Sequence, residues 1–177
     1  NPLLECELVN GEQMPHLKPI KNGIEKLIED EKRQGNISEA SLYFRGLNRG
    51  RWFGIEADKP FTAASLTKVP ILMAFYKAAE ENPTILNEAL AFTQEIRTLS
   101  LEQTIAPKNR LVVGQLYTVN DLLSRMIIDS DNEATSLLIA NTDQAFLDRV
   151  FKDLHLPIRR NNQQETILSP EILSTFF

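Results

Sequence analysis

Two β-prone runs, Ser41 to Arg45 and Arg51 to Ile55, face each other across Gly46-Leu47-Asn48-Arg49-Gly50, and no other segment reads convincingly as a strand. A hairpin of this kind cannot stand alone. Two strands are marginal in water, and an edge left unpaired invites another chain. The remaining residues must therefore cover the hairpin or complete its sheet, and what they offer is helix.

Between Leu17 and Arg33 the apolar residues Leu17, Ile20, Ile24, Leu27 and Ile28 recur at helical spacing, with Gly35-Asn36 as the stop. Past Phe61 a helical pattern covers about Val69 to Ala79. Asn82-Pro83 then supplies an N-cap and first-turn proline for a helix predicted to reach Ile96. A looser segment runs to Tyr117. Thr118 to Asp121 reads as a capping box with Asp in the acid position, opening a helix with Leu122, Leu123, Met126 and Ile127 on one face; it ends near Asp129-Ser130. Helical patterns follow at Glu133 to Ala140 and Asp143 to Leu154. Residues 158–168 read as polar loop, and Ser169-Pro170-Glu171 restarts a helix.

Composition excludes several classes of function. With 177 residues, 42% of them hydrophobic, the chain is long enough to bury about 70% of its unfolded surface in one core without staples. A net charge of −5, with no basic run longer than Arg159-Arg160, gives counterion release no source, so nucleic acid is discounted as a partner. No stretch approaches the roughly 18 apolar residues of a membrane span. The chain opens on Asn1 rather than Met, as a processed product does. Cys6 is the single cysteine and reads as an incidental thiol. His16, in a Pro-flanked stretch, and His155, at a helix end, read as structural, so no serine–histidine triad is indicated. No ligand spacing points to a metal, no Gly-rich loop to a phosphate, and no cofactor is expected.

The chemistry-bearing segment is Phe61-Thr62-Ala63-Ala64-Ser65-Leu66-Thr67-Lys68-Val69-Pro70. Ser65 and Lys68 are three apart at the start of a helical run, hence on one face. Free backbone N–H groups at a helix start favour a developing alkoxide, and a lysine one turn on can take or hold its proton. Pro70 is costly inside a helix, so Ser65 to Lys68 should form a tight first turn leading into it. Alone, Ser-x-x-Lys arises by chance about once in a chain of this length. Ser130-Asp131-Asn132, at a helix–helix junction, could equally be ordinary capping residues. The conjunction of the two motifs carries the argument.

In this order, with Phe61 before the serine and Val69-Pro70 after the lysine, these segments resemble the active-site serine β-lactamase and penicillin-binding protein family, with class A β-lactamases as the nearest branch. Ser41-Leu42-Tyr43-Phe44-Arg45 with Trp52-Phe53-Gly54-Ile55 is similar to that family's first hairpin, and Tyr117-Thr118-Val119 through Leu137-Leu138 to the helices flanking Ser-Asp-Asn. The resemblance implies an α/β (α+β) fold of the β-lactamase/transpeptidase type, with helices packed on an antiparallel sheet plus an all-helical subdomain. Residues 1–16 would be an N-terminal extension and 17–177 the catalytic domain. It further implies that Ser65 attacks a carbonyl and becomes acylated, Lys68 helps deprotonate it, Ser130 passes a proton to the departing nitrogen, Asn132 holds the substrate amide, and Asp131 is structural. The oxyanion hole would combine the Ser65 N–H with one from a sheet strand.

The family's third motif, Lys-Thr-Gly, does not follow Ser130; Lys21-Asn22-Gly23 precedes the nucleophile, within the first helix, and is coincidental. The expectation is a chain lacking its C-terminal third, with only the first hairpin of the sheet, so that missing residues, a second fragment or a swapped chain complete it. For deacylation, class A enzymes use the glutamate of a Glu-x-x-Leu-Asn loop. The candidate is Glu165, but Glu165-Thr166-Ile167-Leu168-Ser169 departs at the last position, so a solvated carboxylate and slow deacylation are expected. The reading is a serine acyl hydrolase acting on a β-lactam or a peptidoglycan-derived D-alanyl peptide, a DD-peptidase or weak β-lactamase. The alternatives are a non-catalytic cell-wall binding or scaffold module and, more plainly, a helical interaction domain with chance motifs. Such a substrate implies a bacterial protein that is periplasmic, secreted or membrane-anchored outside the cytoplasm.

Overall fold

The computed structural model describes residues 17–47, 51–153, 159–160 and 166–175. They form two compact units, one of residues up to Phe61 together with Leu168–Thr175, the other of Thr62–Ile167. The fold is mixed, rich in helix with small antiparallel sheets.

In the first unit, helix α1 (Lys18–Gln34) starts on Pro19 and stops at Gly35, whose φ of +76° lets its N–H and that of Asn36 reach back to carbonyls in the last turn. None of its residues is buried: Ile20 and Leu27 are 53% and 58% exposed, so the apolar stripe read from the sequence is only partly covered. The hairpin is formed as expected. Strands β1 (Leu42–Arg45) and β2 (Trp52–Ile55) pair antiparallel in the register Tyr43↔Gly54 and Phe44↔Phe53. Phe44 stacks on Phe53 at 5.2 Å and Tyr43 on Trp52 at 5.6 Å, the cross-strand aromatic contacts that stabilise such a pair. Gly54 is constrained by a close approach, since a Cβ there would lie 2.7 Å from that of Ala57. Helix α7 (Pro170–Ser174) packs on β1, capped by the Ser169 hydroxyl, which accepts from the Ile172 N–H.

The second unit is built around helix α2 (Lys68–Glu81), entered through a 3-10 turn at Ala64–Thr67. Pro70 is the third residue of α2, where the missing N–H has no intrahelical partner to lose, so the predicted tight turn and the proline are compatible. The helix expected from Asn82 to Ile96 is not continuous. Asn82 does cap, accepting from Thr84, but only a 3-10 turn Pro83–Asn87 follows; then come a strand and a short helix α3 (Gln94–Leu99) with its own Thr93 cap. Counting strands in order, β3 is Phe61–Thr62 and β4 is Ala89–Ala91; β4 pairs with β5 (Leu116–Thr118), a long-range partner that overrides local helix propensity.

Thr118 caps α4 (Val119–Ile128) through the Asp121 N–H at 3.2 Å, but Asp121 turns to Arg125 at 2.8 Å instead of closing the box. Leu122, Leu123 and Met126 are fully buried, while Ile127 is 42% exposed and does not share their face. Helices α5 (Asn132–Ala140) and α6 (Gln144–Asp153) complete the layer. The core joins Ile71 and Phe75 of α2 to Phe92, Leu111, Leu122, Leu123, Met126, Leu137 and Leu138. The stretch 158–168, expected as loop, contains strands β6 (Arg159–Arg160) and β7 (Thr166–Leu168), paired antiparallel; Ala63 N–H donates to the Thr166 carbonyl at 2.9 Å. The hairpin is thus not the only strand pair. No helix among the described residues is long and apolar enough to cross a membrane.

Candidate active site

The 3-10 turn into α2 presents Ser65 and Lys68 one turn apart, and the α4–α5 junction brings Ser130 and Asn132 to them from more than 60 positions along the chain. Lys68 Nζ lies 3.3 Å from Ser65 Oγ, 2.9 Å from Ser130 Oγ, 2.6 Å from the Ser130 carbonyl and 2.7 Å from Asn132 Oδ1. The Ser130 hydroxyl is 2.9 Å from Ser65 Oγ. The two hydroxyls and the amine form a closed triangle.

Lys68 as a residue is only 5% exposed. Burial lowers its pKa from the ordinary lysine value, and the Asp131 carboxylate opposes that shift. Hydrogen-bond chemistry points the same way. The Ser130 carbonyl and Asn132 Oδ1 accept only, so each takes one N–H. A neutral amine then has both protons engaged and its lone pair free for a serine hydroxyl; the charged form has a third proton to give back.

Asp131 is fully buried and caps α5, its Oδ1 accepting the N–H groups of Glu133 at 2.8 Å and Ala134 at 3.1 Å. Burial raises its pKa, against those two N–H groups. Its other oxygen has no hydrogen-bond partner among the described residues. Between α4 and α5 the chain turns sharply at Ser130, whose φ of +53° is a left-handed conformation that costs a non-glycine residue about 1 kcal/mol. Ala64, just before Ser65, is also left-handed at +46°.

Contacts that no motif announced come from the loop after α3. The Leu101 carbonyl accepts from Asn132 Nδ2 at 3.2 Å, while Gln103 accepts from the Asn132 N–H at 3.1 Å and donates to the Asp129 carbonyl at 3.1 Å. Nothing in the sequence around Gln103 marks it. Glu165, His16, His155 and Cys6 lie outside the described residues. Lys21-Asn22-Gly23 is inside α1. Among the described residues no group of three His, Cys, Asp or Glu side chains could hold a metal. A cavity of about 310 Å³, lined by Phe75, Ile85, Val119 and Phe146 with others, takes no residue from the Ser65 cluster.

No curated protein sequence matches the chain. Among solved structures it is similar to a mutant of PBP-A, an acyl-enzyme complex with penicillin G, with 30% identity, a TM-score of 0.70, and coverage of 90% of this chain and 60% of that one. It shares its fold with a variant of the last common ancestor of Gram-negative bacteria class A β-lactamase (22% identity, TM-score 0.69, 86% and 59% covered). The same holds for a class A β-lactamase from Mycobacterium abscessus (21%, 0.63, 75% and 54%). The chain thus spans about 60% or less of the length of these structures. A family model, the β-lactamase enzyme family, matches residues 19–177, nearly the whole chain. With that match over the segments that assemble the Ser65, Lys68 and Ser130 triangle, the chain belongs to the β-lactamase enzyme family.

Proposed function

We propose that the protein is a serine acyl hydrolase in which Ser65 forms a covalent ester with a β-lactam or a D-alanyl peptide. The observation that carries this reading is the Ser65–Lys68–Ser130 triangle, with sides of 3.3, 2.9 and 2.9 Å. Every proton transfer that acylation needs among the protein's own groups has a donor and an acceptor in reach. Neutral Lys68 takes the Ser65 hydroxyl proton as Oγ bonds to the substrate carbonyl carbon. The scissile C–N bond then breaks, the leaving nitrogen takes the Ser130 proton, and Lys68 returns one to Ser130 Oγ. Lys68 ends neutral, Ser130 ends as a hydroxyl, and Ser65 carries the acyl group.

Asn132 would hold the amide of the substrate side chain through the second N–H of Nδ2, the first being taken by the Leu101 carbonyl, while its Oδ1 stays on Lys68. Deacylation requires an activated water. Glu165 is the one candidate from sequence, and its poor match to the class A loop supports slow release, hence a DD-peptidase or weak β-lactamase. The penicillin acyl-enzyme of the PBP-A relative favours the same chemistry here. The proposal extends to a location outside the cytoplasm of a bacterium, in the periplasm, secreted or anchored, because that is where such a substrate lies.

An intact-mass time course with a penicillin, alongside Ser65→Ala, tests the reading. A mass increase equal to the whole drug, absent in Ser65→Ala, supports it. A long-lived adduct identifies a peptidase-like enzyme; a transient one, with hydrolysed drug accumulating, identifies a β-lactamase. A full-length protein that never takes up the drug overturns acyl transfer and leaves the binding-module alternative.

A further inference from the structure

We infer that Gln103 is a positioning residue that holds Ser130 and Asn132 in their reactive arrangement; the inference rests on the acyl-transfer reading above. Residues 101–106 are exposed except for Gln103, whose side chain alone in that stretch is half-buried. Its amide spans the α4–α5 junction. Nε2 donates to the carbonyl of Asp129, the C-cap residue of α4, and Oε1 accepts from the N–H of Asn132, the first residue of α5. Both are helix-end groups without an intrahelical partner, so one side chain satisfies an orphan of each helix.

The residue bridged is Ser130. Its left-handed backbone is a strained state that persists only where the surroundings over-determine it. The ties that do so are the Asp131 N–H to the Arg125 carbonyl, the Ser130 carbonyl to Lys68, and the two Gln103 bonds on either side. Of these, only the Gln103 bonds hold the carbonyl before and the N–H after the Ser130-Asp131 pair at once. Two residues earlier, the Leu101 carbonyl fixes Asn132 Nδ2 and so aims Oδ1 at Lys68. The same short loop segment therefore sets the backbone of Ser130 and both the backbone and side chain of Asn132. Glutamine suits this place because a neutral amide offers one donor and one acceptor at the same reach. A carboxylate would turn a lone pair on the Asp129 carbonyl.

The test compares acylation by a fluorescent penicillin in the full chain, Gln103→Leu and Gln103→Glu, recording both rate constant and final labelled fraction. Gln103→Leu is expected to lower the acylation rate constant by about tenfold or more, as misplaced reacting groups do, while labelling finally reaches the wild-type fraction. Gln103→Glu is expected to be impaired at pH 7 and to regain rate, relative to wild type at each pH, as the pH falls toward 5 and the carboxyl takes the proton that restores the donor. Hydrogen exchange of the peptide covering 129–133 should quicken in Gln103→Leu. A wild-type rate constant in Gln103→Leu overturns the inference, as does a loss of labelled fraction with an unchanged rate constant, which would mark a merely structural residue. A flat pH ratio for Gln103→Glu overturns the donor half. A wild-type chain that takes no label overturns acyl transfer itself, a result separable from all of these.

Discussion

Asn132 Oδ1 sits 2.7 Å from Lys68 Nζ, on a residue 64 positions later in the chain. An amide oxygen accepts without adding charge, so it orients the amine and leaves it free to be neutral. A carboxylate in the same place would hold the amine protonated.

Asn132→Asp is therefore expected to slow acylation by a penicillin at least tenfold at pH 7, with the deficit shrinking as the pH rises and the ammonium is finally deprotonated. A pH series of acylation rate constants checks this. A deficit of constant size across the series would mean that Asn132 acts only on the substrate.

Lys68 gives a pH signature of its own. Burial lowers its pKa, so the acylation rate should rise with pH to a plateau at a midpoint below 10.5, and Lys68→Arg, permanently charged, should lose both the rise and the activity. Stability carries the same sign. A lysine whose folded pKa is depressed binds its proton more tightly in the unfolded chain, so its favourable contribution is full above 10.5 and is lost as the pH falls through the folded value. Melting temperatures measured downward from pH 10 should thus fall more for wild type than for Lys68→Met.

Much of this was legible before the fold. Leu122, Leu123 and Met126 announced α4 by their spacing, the Gly46–Gly50 loop announced the hairpin, and Ser65, Lys68 and Ser130-Asp131-Asn132 announced the cluster by type and order. What local pattern could not supply was long-range pairing. Ala89–Ala91 reads as helix because nothing nearby shows that Leu116–Thr118 will draw it into a strand. Ile127 reads as core from its period but faces outward because α5 and α2 cover only one side of α4. Gln103 was invisible for a similar reason: a lone glutamine in a loop has no periodicity, and its role exists only where two helix ends meet.

Asp131 offers a test of the junction that is independent of catalysis. Asp131→Ala removes the acceptor for two N–H groups at the start of α5 and should destabilise the protein by about 1–2 kcal/mol in chemical denaturation. Asp131→Asn keeps an oxygen for both and should recover most of that loss. Equal losses for the two variants would show that the charge of Asp131, rather than its cap, is what matters.

The pair of Arg97 and Glu133 ties α3 to α5 behind the Ser130 turn. Arg97 Nε donates to Glu133 Oε1 at 3.0 Å and Nη2 to the Leu111 carbonyl at 2.5 Å, and the guanidinium lies 5.1 Å over the Phe92 ring. Glu133 Oε2 is buried and has no hydrogen-bond partner among the described residues, so Arg97 is the cation that compensates this carboxylate. The Arg97 side chain is 36% exposed, so solvent screens part of the interaction. Arg97→Met should therefore cost about 2 kcal/mol, less than the loss of a fully buried partner, chiefly by leaving the carboxylate uncompensated. Glu133→Gln in the Arg97→Met background removes the stranded charge and should restore about half of the loss. A double-mutant cycle by denaturation checks both numbers, and strictly additive losses would mean that the two side chains act independently, with Arg97 stabilising α3 through Phe92 and Leu111 alone.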